Sequence, residues 1–274
     1  MTLSEIRQIL SEREIQLTRS LGQNFMHDQN QIRKIVAAGE VGPDDAVVEI
    51  GPGLGPLTEQ LVAQAGKVIA IETDERLIGF LAERFRDAGN FQLIHEDALK
   101  LIRRQASDWS QWKLVANLPY SVASPILVEL AKKTTGPRQI STTLQLEVAQ
   151  RLVSPPSKKD YGVLTLLVGL AYEAKLEFVI PASCFFPAPK VDSACVSLRR
   201  RAKPPLPPKL NPVFERIVKR GFSQRRKMML KLLKQDWAPD KLEAAYEAAG
   251  LDPKVRAEAV DLEGFVTMTR ILAP

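Results

Sequence analysis

Four short apolar runs, at 46–50, 68–71, 91–94 and 113–116, punctuate the first half of the chain, and between them apolar residues recur at helical spacing, at about 56–65, 75–85 and 98–106. The runs suit buried strands and the intervening stretches suit amphipathic helices. Such alternation predicts an α/β fold, a parallel sheet with helices on both faces, whose ligands bind beyond the carboxyl ends of the strands. Ahead of it, Leu3, Ile6 and Leu10 sit at helical spacing among charges within residues 3–16. Asp28 is a candidate N-cap for a helix reaching about Ala38, with Gln31 three residues on, as in a capping box.

Beyond residue 135 the parallel pattern fades. Ile140 to Leu146 reads as a fifth strand, followed by helix to about Val153 and a Pro-Pro-Ser-Lys-Lys-Asp loop at 155–160. Runs rich in Val, Leu and Phe at 163–172, 176–180 and 191–198 are expected to pair antiparallel. Arg199-Arg200-Arg201 and the prolines up to Lys209 predict a stiff linker. Helical patterns at about 211–221, 223–235, 239–249 and 261–272 then predict a small helical bundle. The expected organisation is a first domain over 1–200, a linker over 201–210 and a helical domain over 211–274.

Charge sharpens this outline. The 274 residues carry a formal net charge of +6, which favours a polyanionic partner if the excess is concentrated somewhere. Arg225, Arg226 and Lys227, continued by Lys231 and Lys234, meet no acid until Asp236. The spacing places them on a helix whose other face carries Met228, Met229, Leu232 and Leu233. A solvated face is the ordinary explanation of such a stripe, but five positive charges without an intervening acid exceed what solubility asks for. Phosphate contact is the stronger expectation, extended by Lys158-Lys159 and Arg199 to Arg201. Cys184 and Cys195 suit the core of a protein in a reducing compartment, and with only His27 and His95 no zinc site is expected. Neither a membrane span nor a signal-peptide pattern is present, so a soluble cytoplasmic protein is expected.

The candidate chemistry falls at the strand ends. Lys113 to Ala116 runs into Asn117-Leu118-Pro119-Tyr120, where Pro119 stiffens the corner and pushes Leu118 toward an extended conformation. The Asn117 side-chain carbonyl and the Leu118 backbone carbonyl then form two neighbouring acceptors beside the Tyr120 ring. That set suits a planar base bearing an exocyclic amine. The first strand leads into Gly51-Pro52-Gly53-Leu54-Gly55, a turn that a dinucleotide fingerprint fits poorly. The second ends in Glu72, placed to accept from ribose hydroxyls, with Asp74 behind it as an N-cap. Asp97 closes the third, where it suits an adenine amine or an ordinary cap.

Glycine turn, acid, acid and Asn-Leu-Pro-Tyr together resemble class I S-adenosyl-L-methionine-dependent methyltransferases that act on adenine amines. Other segments narrow the likeness: Ser20-Leu21-Gly22-Gln23-Asn24-Phe25, Gln145-Leu146-Glu147-Val148, Lys159-Asp160-Tyr161-Gly162, Phe186-Pro187-Ala188-Pro189-Lys190-Val191-Asp192-Ser193-Ala194 and Gln224-Arg225-Arg226-Lys227. With these the chain resembles the small-subunit rRNA adenine dimethyltransferases of the KsgA type from about residue 18 onward. The resemblance implies a Rossmann-like seven-stranded sheet with one reversed strand and S-adenosyl-L-methionine as the only cofactor. It implies action on two adjacent adenines in the 3'-terminal hairpin of 16S rRNA, a part in small-subunit biogenesis and a monomer. For the cofactor it assigns Asn24, Met26, Gly51, Gly53, Glu72, Asp97 and Asn117. For catalysis it assigns Asn117, Leu118, Tyr120 and Phe185, and for RNA Arg225, Arg226, Lys227 and Lys231. Relatives usually carry leucine where Met26 stands and a larger residue where Ser121 stands, and Phe186 competes with Phe185 as the stacking ring. The nearest alternative is a large-subunit rRNA adenine methyltransferase of the resistance type. A DNA amino-methyltransferase, an assembly checkpoint with secondary catalysis and a dehydrogenase rank below it.

Overall fold

The computed structural model describes residues 1–16, 23–104 and 108–274, so Ser20, Leu21 and Gly22 of the first motif lie outside the described residues. Strands run over β1 Phe25–Met26, β2 Ala46–Ile50, β3 Lys67–Glu72, β4 Phe91–His95, β5 Lys113–Asn117, β6 Gln139–Gln145, β7 Tyr172–Ile180, β8 Phe185–Phe186 and β9 Ser193–Arg200. Helices run over α1 Leu3–Glu12, α2 Gln29–Ala38, α3 Pro56–Gln64, α4 Glu75–Arg84, α5 Ala98–Arg104, α6 Ala123–Lys132, α7 Leu146–Val153, α8 Val163–Gly169, α9 Asn211–Gly221, α10 Met229–Leu233, α11 Pro239–Ala248 and α12 Leu262–Leu272.

A seven-stranded sheet in the order β4-β3-β2-β5-β6-β9-β7 forms the frame. The first five strands in that order pair parallel, and β9 runs antiparallel to β6. Val47, Val68 and Val115 face α2 and α3 in one core cluster. Val48 and Leu114, of opposite parity, are equally buried, so both faces of the sheet are covered. Parallel pairing aligns the carboxyl ends of β2, β3, β4 and β5 on one rim, where the candidate residues stand. At the opposite rim Lys113 is buried with Asp45, which also pairs with Arg138.

The chain divides into two compact units, residues 1–149 with 174–200, and residues 150–173 with 201–274. The break after residue 200 falls where the prolines begin, but residues 150–173, expected in the first domain, fold with the C-terminal helices. The run at 163–172 explains this. Expected as a strand, it forms through Gly169 the helix α8, whose Leu166, Leu167 and Val168 are buried. A continuous apolar run has no period by which to separate the two states. Tyr161 anchors the segment within its unit by donating to the Val260 carbonyl at 2.7 Å and contacting the Phe222 ring edge-on. The expected linker is likewise built into this unit, with Leu206 buried and Arg270 donating to the Pro205 carbonyl.

Two smaller expectations also change. Asp28 caps α2 through the Asn30 and Gln31 amides, but Gln31 does not complete a capping box: its Oε1 is buried without a partner among the described residues. The helix expected over 223–235 is reduced to α10. Ser223 Oγ donates back to the Arg220 carbonyl and the Lys227 amide donates to the Gln224 carbonyl, which makes 223–227 a turn.

Candidate active site

Lys113 to Ala116 are buried in β5, so the strand delivers Asn117 to the rim as its last residue. Asn117, Leu118, Pro119 and Tyr120 line one cleft together with Gly51, Gly53, Glu72, Asp97, Asn24 and Met26. A Cβ added to Gly51 would lie 3.2 Å from Pro119 Cγ, so the glycine turn and the Asn-Leu-Pro-Tyr corner meet directly. Gly51 and Gly53 both hold positive φ, at 70° and 62°, a region open to glycine at little cost.

Asn117 is held on both sides. Its Nδ2 donates to the Asn24 carbonyl at 3.0 Å, and its Oδ1 accepts from the Thr143 hydroxyl. Tyr120 is half-buried, and its hydroxyl shares a 2.6 Å hydrogen bond with the fully buried Ser193. Burial raises the Tyr120 pKa, with Ser193 opposing, so the phenol stays protonated and its ring is set by that bond. The Asn-Leu-Pro-Tyr corner and the Val191-Asp192-Ser193 segment, read separately in the sequence, are thus one structure.

Glu72 ends β3 and is buried. Its Oε1 accepts from the Thr73 and Asp74 amides at 2.8 and 2.9 Å, and its Oε2 from the Gly53 amide at 3.3 Å. Burial pushes its pKa up against those three donors, with the Asp74 charge adding to the rise. The carboxylate therefore faces the cleft at fixed orientation with lone pairs left for hydroxyl donors. Asp97 accepts from the Lys100 amide at 3.0 Å, as a cap would, and its side chain lines the same cleft. The cap reading and the ligand reading of this residue coexist.

The segment over the cleft is tied down at several points. Gln23 Nε2 donates to Asp74 Oδ2 at 2.7 Å, and β1 pairs with β8, setting Phe25 opposite Phe186 and Met26 opposite Phe185. Phe185 is the assigned residue that the structure does not bring to the cleft. It is 2% exposed and packs in the core cluster with Met26, Ile35 and Leu57, because the ladder to Met26 turns it inward. Phe186 is partly exposed beneath the Arg7 guanidinium, 5.2 Å from its ring centroid.

Several lining or supporting residues had no place in the sequence-based set. Glu49 lines the cleft, is fully buried and accepts from Thr58 Oγ1 at 2.7 Å. Burial, opposed by that bond and reinforced by the Glu72 charge, pushes its pKa up to about 8. A lone acid inside an otherwise apolar strand was the available signal. Thr143 gave none, since it acts across a distant contact, and Gln23 and Ser193 stood within segments that carry the family likeness without a role assigned to either.

The residues fit a nucleoside-bearing sulfonium cofactor. The turn offers a cradle that a Cβ would crowd, Glu72 and Asp97 offer acceptors for hydroxyl and amine donors, and Ile71 and Leu99 line an apolar stretch. No helix among the described residues is long and apolar enough to cross a membrane.

The expected basic residues lie in the second unit. Arg225, Arg226 and Lys227 are exposed on the turn before α10, and Lys231 is exposed on α10. Arg225 donates to Glu258 Oε2 at 2.7 Å and to the Lys158 carbonyl at 3.1 Å, which brings the Lys158-Lys159 loop beside the turn. Arg199 and Arg200 belong to the first unit. They sit at the rim opposite the cleft, where Arg199 pairs with Glu40 and Arg200 donates to the Lys133 and Thr134 carbonyls.

A family profile described as "Ribosomal RNA adenine dimethylase" matches residues 15–274. The chain belongs to that family. It is 42% identical to a "Ribosomal RNA small subunit methyltransferase A" of Clostridium perfringens, over 97% of this chain and 95% of the relative. A protein of the same name from Geobacillus thermodenitrificans is 38% identical over 100% and 97% of the two chains. Among solved structures, the 23S rRNA methyltransferase ErmE is 28% identical with a TM-score of 0.69, covering 92% of this chain and 100% of its own. A dimethyladenosine transferase from Plasmodium falciparum, 23% identical with a TM-score of 0.71 over 89% and 95%, shares the fold.

Proposed function

We propose that this family member transfers methyl groups from S-adenosyl-L-methionine to the exocyclic amines of two adjacent adenines in the 3'-terminal hairpin of 16S rRNA, during small-subunit biogenesis in the cytoplasm, as a monomer. The observation that carries the reading is the meeting of Gly51 and Pro119, which sets a base-binding corner against a cofactor-binding turn. Names of relatives at 38–42% identity support the small subunit as the target.

The cofactor, when bound, supplies a methyl group on a positively charged sulfur. Glu72 takes the ribose hydroxyls, Asp97 the adenine amine, and Asn24, Met26, Gly51 and Gly53 enclose the rest. An adenine amine is a weak nucleophile because its lone pair is delocalised into the ring. Accepting hydrogen bonds from its two N–H groups at Asn117 Oδ1 and the Leu118 carbonyl draws the nitrogen out of conjugation and meets the charge that develops on it, and the methylated nitrogen then releases one proton to water. Tyr120 stacks on the base at the angle its bond to Ser193 sets. Phe185 reaches the opposite face of the base only after the β1–β8 ladder gives way. Proximity and orientation account for much of the rate, and the product amine retains a proton for the second transfer. Arg225, Arg226, Lys227 and Lys231, with Lys158 and Lys159, hold phosphates.

The test is transfer of labelled methyl groups to purified ribosomal particles. Label in immature small subunits, lost in Asn117→Ala while calorimetric affinity for the demethylated cofactor product is kept, is the expected result. Label in large-subunit rRNA alone would favour the second reading, the ErmE-like activity that the 28% identity allows. Full transfer by Asn117→Ala would remove that residue from the mechanism.

A further inference from the structure

The proposed chemistry rests on one end of an amide. Only Oδ1 of Asn117 can accept from an amine, and a 180° turn of the side chain would present Nδ2 instead, a second donor facing a donor. The Asn24 carbonyl can only accept, so its 3.0 Å bond assigns Nδ2 to that side and leaves Oδ1 toward β6. There the parallel register puts Thr143 directly beside Asn117, and its hydroxyl donates to Oδ1. Thr143 has no exposed surface, so it touches neither RNA nor cofactor. Its neighbour Thr142 is equally buried, but its hydroxyl donates at 2.9 Å to the Ala116 carbonyl, a bond within the sheet.

We infer that Thr143 is a positioning residue for methyl transfer, locking the Asn117 amide with its oxygen toward the adenine amine. The inference rests on Asn117 being the amine acceptor. One lone pair of Oδ1 takes the threonine hydroxyl and the other remains for the substrate. Cofactor binding, which uses Glu72 and Asp97 on other strands, is not asked of this residue.

Thr143→Val preserves shape and removes the donor. Single-turnover transfer to small-subunit rRNA should slow about three- to tenfold, the range expected for losing one neutral hydrogen bond that orients a reacting group. Affinity for the demethylated cofactor product should stay within about twofold, and Thr143→Ser, which restores the hydroxyl, should recover most of the rate. Side-chain amide resonances of Asn117 should shift in Thr143→Val. In Thr142→Val they should not, and that variant should lose thermal stability while keeping its transfer rate. In an Asn117→Ala background, Thr143→Val should have no further effect on the residual rate. Wild-type transfer by Thr143→Val, or failure of Thr143→Ser to recover the rate, overturns the inference while a slow Asn117→Ala leaves the parent reading standing. Full transfer by Asn117→Ala overturns both.

Discussion

Gly53 joins the proposed cofactor cradle to the segment that covers it, so replacing it with alanine tests the architecture of the cleft directly. Its φ of 62° costs an L-residue roughly 1–2 kcal/mol. The new Cβ would fall 2.8 Å from Cδ1 and Cε1 of Phe25, and forcing such an overlap into a packed site costs roughly another 1–3 kcal/mol. Together these give a loss of about 2–5 kcal/mol if nothing moves. Phe25 stands between Asn24 and Met26, so relief by displacing the ring would unseat that segment and weaken cofactor binding. Urea unfolding and calorimetry with the demethylated cofactor product measure the two shares. Gly53→Ala should lower the unfolding free energy by at least about 1 kcal/mol and weaken the product at least about tenfold, which corresponds to 1.4 kcal/mol. Gly79, inside α4 with no heavy atom within 4 Å of where a Cβ would stand, provides the contrast: Gly79→Ala should stabilise by about 1 kcal/mol. In a Phe25→Ala background the cost of Gly53→Ala should fall to its backbone share. Unchanged stability and affinity, or an equal cost with and without the ring, would refute the assigned contact.

The buried acid Glu49 gives a pH signature. Its pKa is raised by burial from the ordinary 4.5 to about 8, so between those values the folded chain keeps a proton that the unfolded chain releases. Its stabilising contribution is full below about 4.5 and is lost as pH rises toward 8, so wild type should lose stability across that window while Glu49→Gln stays flatter; parallel profiles would rule this out. Glu72→Gln should weaken the demethylated cofactor product while RNA affinity, read by filter binding, stays near wild type. Charge reversal at Arg225, Arg226 and Lys227 should weaken RNA binding and make its dependence on salt shallower, and an unaltered salt slope would return that turn to a solvated surface.

How much of this could be read from the chain differs by element. The parallel core was legible because each strand is a short apolar run and each crossover helix has its own period; 46–50 and 113–116 became β2 and β5 within one residue at either end. The same reasoning failed at 163–172, where Val163 to Gly169 are apolar nearly throughout, and at 223–227, where the regular spacing of Met228, Met229, Leu232 and Leu233 does not carry back across the residues that form a turn. In both places the deciding interactions come from far along the chain, Val260 for the first segment and Glu258 for the second.

The site shows the same division, with a sharper consequence. Residues that would touch a ligand announce themselves locally, because a strand end, a proline or a glycine turn changes the texture of the sequence at that point. Residues that hold them do not. Thr143 and Ser193 stand 26 and 73 positions from the side chains they bond. Yet Gln145 pairs with Ser193 and Thr143 with Cys195 in the antiparallel β6–β9 ladder, so both hydroxyls project from one face of two adjacent strands. Reversing β9 against β6 is what places Ser193, its first residue, beside the last residues of β6. A parallel β9 in that position would bring its final residue, Arg200, to the cleft instead. The reversed strand thus supplies the support under Tyr120, while β6 supplies the support under Asn117. A one-residue slip of β9 would turn Ser193 to the opposite face and release Tyr120 without disturbing Asn117.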